Sequence, residues 1–190
     1  MNEKLIIISA PSGAGKTTIV KQLLNSNLKL EFSVSACSRP KRENETHGRD
    51  YYFLSVDEFK TKIKNDEFLE WEEVYHNQFY GTLKSEITRI WSKRNFVIFD
   101  VDVVGGLNIK KYYKEKSFAI FIKPPSQEVL EERLKGRATE SEESLKKRIN
   151  KANHELSFAE KYDKIIVNDN LKVAVGETKK SIIEFLNSTM

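Results

Sequence analysis

The sequence predicts an α/β fold of three layers, with a parallel β-sheet held between two layers of helices. Three observations predict it. Short, wholly apolar runs recur at 5–8, 96–99, 118–122 and 165–167, the pattern of strands buried on both faces. Helix-like segments separate these runs, over 83–93, 103–114, 126–135 and 170–187, and strands alternating with helices give a parallel sheet. A Gly-rich turn follows the first run directly, and a helical pattern continues from it through Leu24.

Two stretches break the alternation. Residues 34–82 are polar and rich in Arg, Tyr and Glu, with short strand-like pieces around one helix near 56–64. Residues 126–158 are strongly charged and helical. Within them Thr139 and Glu142 fit a capping box, and Leu145, Ile149, Ala152 and Leu156 form an apolar stripe at i, i+4, i+7 and i+11. The simplest organisation is one core (1–33, 83–125 and 159–190) carrying two insertions, 34–82 and 126–158. Both would hang where the strands end, which is where open α/β sheets bind ligands.

Composition narrows the setting. A chain of 190 residues buries a sizeable core without disulfides. Its one cysteine, Cys37, forms no intrachain disulfide and suits a reducing, cytoplasmic location. The start reads as no secretory signal, because its apolar run is short and passes straight into the Gly-rich turn. No apolar stretch approaches the ~20 residues that span a bilayer, so no membrane partner is expected. The net charge of +4, from 32 basic and 28 acidic residues, is a mixed solvated surface and points to no nucleic-acid partner. Nothing in it selects an oligomeric state.

The Gly-rich turn carries the first chemistry. Ala10, Pro11, Ser12, Gly13, Ala14, Gly15, Lys16 and Thr17 match GxxxxGK[ST] except at the first position, where Ala10 replaces Gly. Successive backbone N–H groups there curl around an anionic oxygen, and the helix N-terminus adds partial positive charge. In such a phosphate loop (P-loop) Lys16 reaches the β- and γ-phosphates and the Thr17 hydroxyl ligates Mg²⁺. The motif names a nucleoside triphosphate but no acceptor.

Further motifs follow in order. They are Ser9–Lys16 as SAPSGAGK, S-x-x-S-R-x-x-R from Ser35 to Arg42, GRDYYF from Gly48, FLEW from Phe68, FYGT from Phe79, ERLKGR from Glu132, TESEESLKKR from Thr139, and VND from Val167. Together, over essentially the whole chain, they resemble the guanylate kinases. The resemblance implies a P-loop core with a small GMP-binding insertion (34–82) and a helical lid (126–158). It implies transfer of the γ-phosphoryl group of ATP to GMP, with Mg²⁺ as cofactor and ATP and GMP as partners. It places Arg39, Arg42, Tyr51 and Tyr80 on the acceptor phosphate, and Ser35, Glu70 and Thr82 on guanine. Asp100 and Asp102 lie near GMP and the metal, with Asp100 reaching the metal through its waters. ATP falls to residues 10–17 with Thr18, to Arg133 and Arg137, and to Asn168 beside the adenine. Lys16, Arg39, Arg137 and Arg148 carry the transfer.

Elementary chemistry supports these roles. Planar guanidinium forks suit a phosphate dianion. Guanine presents N1–H and the N2 amino group side by side, and an ionised carboxylate accepts from both, whereas adenine's bare N1 would be repelled. Asp100 and Asp102, two apart after a buried strand, project to one side if the extended backbone continues. Taken singly, Arg39, Arg42 and Glu70 read better as solvated surface charges, and the resemblance is what assigns them. Asp102 also suits helix capping, Arg133 equally suits salt bridging, and Asn168 equally suits a turn. Trp71 and Trp91 read as packing residues, and the three histidines show no metal-ligand spacing. Two other readings compete: a non-catalytic interaction module with this fold, and a kinase for another phosphorylated acceptor such as a ribose phosphate. Lys16, Thr17 and the lid arginines favour an enzyme, and Glu70 with Ser35 favours guanine.

Overall fold

Each apolar run becomes a strand because both of its faces have a helix layer to bury against. The computed structural model describes residues 3–136 and 142–188. In chain order the elements begin with β1 (Leu5–Ser9), α1 (Lys16–Leu24), β2 (Leu30–Phe32), β3 (Ala36–Cys37), β4 (Tyr52–Phe53), α2 (Val56–Lys64), β5 (Phe68–Tyr75) and β6 (Gln78–Leu83). They continue with α3 (Lys84–Ser92), β7 (Phe96–Asp100), α4 (Val103–Tyr113), β8 (Ser117–Lys123), α5 (Gln127–Lys135), α6 (Glu142–Leu156), β9 (Lys164–Val167) and α7 (Leu171–Asn187).

The main sheet has the order β2-β7-β1-β8-β9, and every pairing in it is parallel. Alternation along the strands sorts the core into two halves. Leu5, Ile7, Val97, Phe99, Ala119 and Phe121 face Ile87 and Ile90 of α3 and Ile109 of α4. Ile6, Ile8, Ile98, Ile120, Ile122 and Ile166 face Ile19, Val20 and Leu23 of α1 and Ala174 and Ile182 of α7. The three-layer fold is therefore as the apolar runs predict.

β1 is the switch point, with β7 on one side and β8 on the other. The crevice beyond its C-terminal end lies between the loop after β1 and the end of β7. The second sheet, β4-β3-β6-β5, is built wholly between Ala36 and Leu83. It covers Phe59 of α2 with Phe68, Phe79 and Leu83. α2 carries a full capping box, Ser55 and Glu58 each accepting from the other's backbone N–H. On the other side of the crevice, Leu130 and Leu134 of α5 close on Ala152, with Leu145, Ile149 and Leu156 against them. That is the stripe read from the sequence. The capping box expected at Thr139 and Glu142 lies outside the described residues. Trp91 packs on the core, and Trp71, 47% exposed on β5, packs its ring against Phe79 with the ring centres 6.2 Å apart. Cys37 is fully buried in β3.

Candidate active site

The loop from Ala10 to Gly15 turns because two of its glycines take left-handed backbone, Gly13 at φ 90° and Gly15 at φ 92°. A Cβ on Gly15 would also lie 2.4 Å from Asn168 Nδ2. That amide is buried and donates to the Ala14 carbonyl at 2.7 Å, so the end of β9 holds the underside of the loop. Ala10 takes its Cβ into the apolar cluster under α1, which explains why Gly is not needed there. The loop borders a cavity of about 500 Å³. Its walls include Ser12, Lys16, Thr17 and Thr18 from the core and Arg148 from α6, and Arg148 donates to Ser12 Oγ at 3.1 Å.

Lys16 and Thr17 converge on one carboxylate. Lys16 Nζ is 2.5 Å from Asp100 Oδ1 and donates to the Val101 carbonyl at 2.7 Å. Thr17 Oγ1 donates to Asp100 Oδ2 at 3.0 Å. The Thr17 hydroxyl and the Asp100 carboxylate are hard oxygen donors side by side, which fits magnesium, a cation that takes few protein ligands and keeps phosphates and waters in its shell. Among the described residues no three His, Cys, Asp or Glu side chains converge as a metal cage.

A second cavity, of about 290 Å³, opens beside the first and includes Ser35, Tyr51, Glu70, Tyr80, Asp100 and Asp102 in its lining. Glu70 sits on β5, and Thr82 on β6 is its cross-strand partner. The buried Thr82 hydroxyl donates to Glu70 Oε1 at 2.7 Å. Burial pushes the Glu70 carboxyl up to about 7; Asp102 and Glu72 push the same way and Thr82 opposes them. Asp102 caps α4, accepting from Val104 N (2.8 Å) and Gly105 N (2.9 Å) through Oδ1, and it also lines both cavities. Capping and cavity lining thus coexist in one residue.

Arg39 lies at the rim. It meets Glu45 fork to fork, at 2.7 and 2.5 Å, with its guanidinium 5.1 Å from the Tyr51 ring centre. Glu45, led by its bonds to Arg39, raises the guanidinium pKa, and Arg39 in turn holds the Glu45 carboxyl down at about 2. Tyr51 and Tyr80 meet edge to face at 6.0 Å. Arg42 is exposed, with its backbone N–H on Glu45 Oε2 at 2.9 Å. Arg133 donates to the Asn168 carbonyl at 3.1 Å, and both border a third hollow with Gly13, Gly15 and Thr18. Arg137 lies outside the described residues.

Sequence reasoning did not single out Glu45, Tyr75, Lys151 or Glu155, all of which stand in this region. Glu45 was legible as an acid between Arg42 and Gly48. Lys151 and Glu155 were legible as positions i+3 and i+7 from Arg148 on one helix.

A parallel sheet whose first strand feeds a phosphate loop, with a second cavity against a carboxylate-bearing strand end, defines a P-loop phosphotransferase with separate donor and acceptor pockets. A family model described as guanylate kinase matches residues 2–185. The chain belongs to the guanylate kinase family. It is 54% identical to the guanylate kinase of Bacteroides thetaiotaomicron over 98% of this chain and 92% of that one. It is 52% identical to the guanylate kinase of Porphyromonas gingivalis over 96% and 98% of the two chains. The crystal structure of guanylate kinase from Anaplasma phagocytophilum superposes with a TM-score of 0.77 at 27% identity, covering 98% of this chain and 87% of that one.

Proposed function

We propose that this chain is an ATP:GMP phosphotransferase in which ATP lies along the phosphate loop and GMP fills the cavity against Glu70. The observation that carries the reading is the meeting of the two cavities at the end of β7. Lys16 stands on the donor side, and a half-buried carboxylate, Glu70, bonded to Thr82, stands on the acceptor side.

In this reading Glu70 accepts from guanine N1–H and the N2 amino group, Ser35 donates to O6, and Thr82 fixes the carboxylate. Arg39, Arg42, Tyr51 and Tyr80 hold the GMP phosphate. Exchange of Glu45 for phosphate on Arg39 keeps the guanidinium fork satisfied throughout. The acceptor oxygen is already anionic, so no strong general base is required. It attacks the γ-phosphorus of ATP, the bond from that phosphorus to the β–γ bridging oxygen breaks, and ADP leaves. The protein's work is to align the two anions and to neutralise charge as it spreads over the transferring group. Lys16, Arg137 and Arg148 supply that charge, with Arg133 and Asn168 toward the nucleoside of ATP. Thr17, and Asp100 through water, would hold Mg²⁺, which when bound would supply further neutralisation of the triphosphate.

Residues 34–82 serve as the GMP-binding part and 126–158 as the lid, and their closure excludes water from ATP. Among the described residues no helix is long and apolar enough to cross a membrane, and we place the reaction in the cytoplasm. The test is a coupled assay of ATP with GMP, dGMP, AMP, UMP and CMP, with and without Mg²⁺. GMP is the expected preferred acceptor in the presence of Mg²⁺. Absence of GDP from the ATP, GMP and Mg²⁺ mixture would refute the proposal.

A further inference from the structure

Three residues line both cavities at once, and each comes from a different part of the molecule: Tyr75 from the end of β5, Asp102 from the start of α4, and Lys151 from the middle of α6. A group that passes from one cavity to the other must cross the space between them. Of the three, only Lys151 carries positive charge. We infer that Lys151 is a further substrate-contacting residue of the transfer step, its ammonium neutralising the phosphoryl group as it crosses between the two nucleotides. The inference rests on the ATP:GMP reading and extends it to a residue outside the motifs that carry the resemblance.

The other cations of the site hold other ground. Lys16 sits on Asp100 and the Val101 carbonyl, at the donor end. Arg39 is forked to Glu45 at the outer rim of the acceptor cavity. Arg148 reaches Ser12 of the loop. Lys151 is one turn along α6 from Arg148 and one turn before Glu155, so the three share a helix face. Glu155 lines the donor cavity. Lys151 is exposed, and its long stem allows the head to follow charge as it moves, which a fixed guanidinium fork does not.

Placement at a junction decides what Lys151 should do to rate as against affinity. A cation whose contact with a nucleotide is equally strong in ground state and transition state shifts only a KM. A cation between the two meets the most charge when the phosphoryl group lies between donor and acceptor oxygens, and so acts mainly on kcat.

The experiment compares wild-type chain, Lys151→Met and Lys151→Arg in the ATP, GMP and Mg²⁺ assay, with thermal unfolding in parallel. Met keeps the stem and the helix propensity, and the position is exposed, so the unfolding midpoints should coincide. The expected result is a fall in kcat of about ten-fold or more for Lys151→Met. Both KM values should stay within about two-fold, and Lys151→Arg should recover most of the loss because it restores the charge. A Lys151→Met enzyme with kcat within about two-fold of wild type overturns the inference while leaving the ATP:GMP reading intact, and so does a loss confined to one KM. A wild-type chain that makes no GDP overturns both.

Discussion

Glu70 should make GMP recognition pH-dependent, and the structure sets the window. Its carboxyl is raised from the ordinary 4.5 to about 7, first by burial and then by Asp102 and Glu72, against the Thr82 hydrogen bond. In the proposed pose guanine offers donors to this group, so GMP should bind the ionised form and binding should release the proton held below pH 7. With a free-protein pKa near 7, the ionised fraction falls about ten-fold between pH 8 and pH 6, and GMP affinity carried by Glu70 should fall with it. The GMP phosphate also titrates, near pH ~6 for a phosphate monoester, and it weakens binding in the same direction. Glu70→Gln separates the two effects, since it removes only the carboxyl. At pH 8 that substitution should cost roughly 1.5–3 kcal/mol in GMP binding, the worth of hydrogen bonds to a charged group. Isothermal titration at pH 6 in two buffers of different ionisation enthalpy should show close to one more proton released by wild type than by Glu70→Gln. Equal pH profiles for the two proteins would refute the assignment. The same shift bears on stability with the opposite sense. Between about pH 4.5 and 7 the folded protein holds a proton that the unfolded chain has released, so stability falls as pH rises through that window, by up to ~3 kcal/mol. Glu70→Gln should flatten this part of the pH dependence of urea unfolding.

Other substitutions test the remaining parts of the site. Lys16→Met should lower kcat by on the order of 10²–10³-fold in the coupled assay, because it deletes a preorganised cation at the developing charge. Gly15→Ala should destabilise the fold by about 1–3 kcal/mol in urea unfolding and raise the KM for ATP. Its Cβ would lie 2.4 Å from Asn168 Nδ2 at a φ of +92°, displacing the amide that holds the loop. Glu86→Ala should cost about 3–5 kcal/mol by the same measurement. Glu86 is 1% exposed and accepts from Val34 N at 2.7 Å, from Tyr52 OH at 3.0 Å and from Arg89. The substitution would leave the buried Val34 N–H without its acceptor and strip a partner from the Tyr52 hydroxyl and from Arg89, which keeps Glu31.

The sheet was legible because four of its strands are unbroken apolar runs, and a strand buried on both faces has no other way to be written. β2 was not legible. It has three half-buried residues at the sheet edge, with Glu31 at its centre, and no pattern of period two survives in three positions. What makes it a strand is distant: Arg89, Lys93 and Asn95 all reach the Glu31 carboxylate. Lys4 is a sharper case. Any reading by residue type puts a lysine outside, yet it is fully buried. Its ammonium donates to the carbonyls of Phe185 (2.6 Å) and Ser188 (2.7 Å) at the end of α7, where a cation suits the helix dipole. The site divides along the same line. Residues 10–18 could be read because their neighbours in sequence are also neighbours in the cleft, whereas Glu70 and Thr82, which meet only across paired strands, were assigned by the resemblance. Glu45 on Arg39 depends on a loop closing, and Lys151 depends on the face that α6 turns inward, which the Leu145 to Leu156 stripe fixes only once α5 is in place.

Those partner carboxylates explain how a cleft meant for two polyanions can stand ready without them. Unpaired cations crowded into one crevice would repel one another and cost desolvation. Here Lys16 rests on Asp100 and Arg39 on Glu45, so each is held in place by a carboxylate and nearly neutral as a pair. Phosphate entry then becomes an exchange of one anion for another on a cation already positioned, and the net gain in affinity is modest. The gain in rate is not reduced in proportion, because a positioned cation needs little reorganisation when charge moves onto the transferring group. Binding energy is thereby withheld from the ground state and left for the transition state. Removing a carboxylate partner should reveal this division: Glu45→Gln frees Arg39, so GMP should bind more tightly while kcat fails to rise with it. Weaker GMP binding in that variant would mean that Glu45 chiefly shapes the rim, and the exchange account of Arg39 would fall.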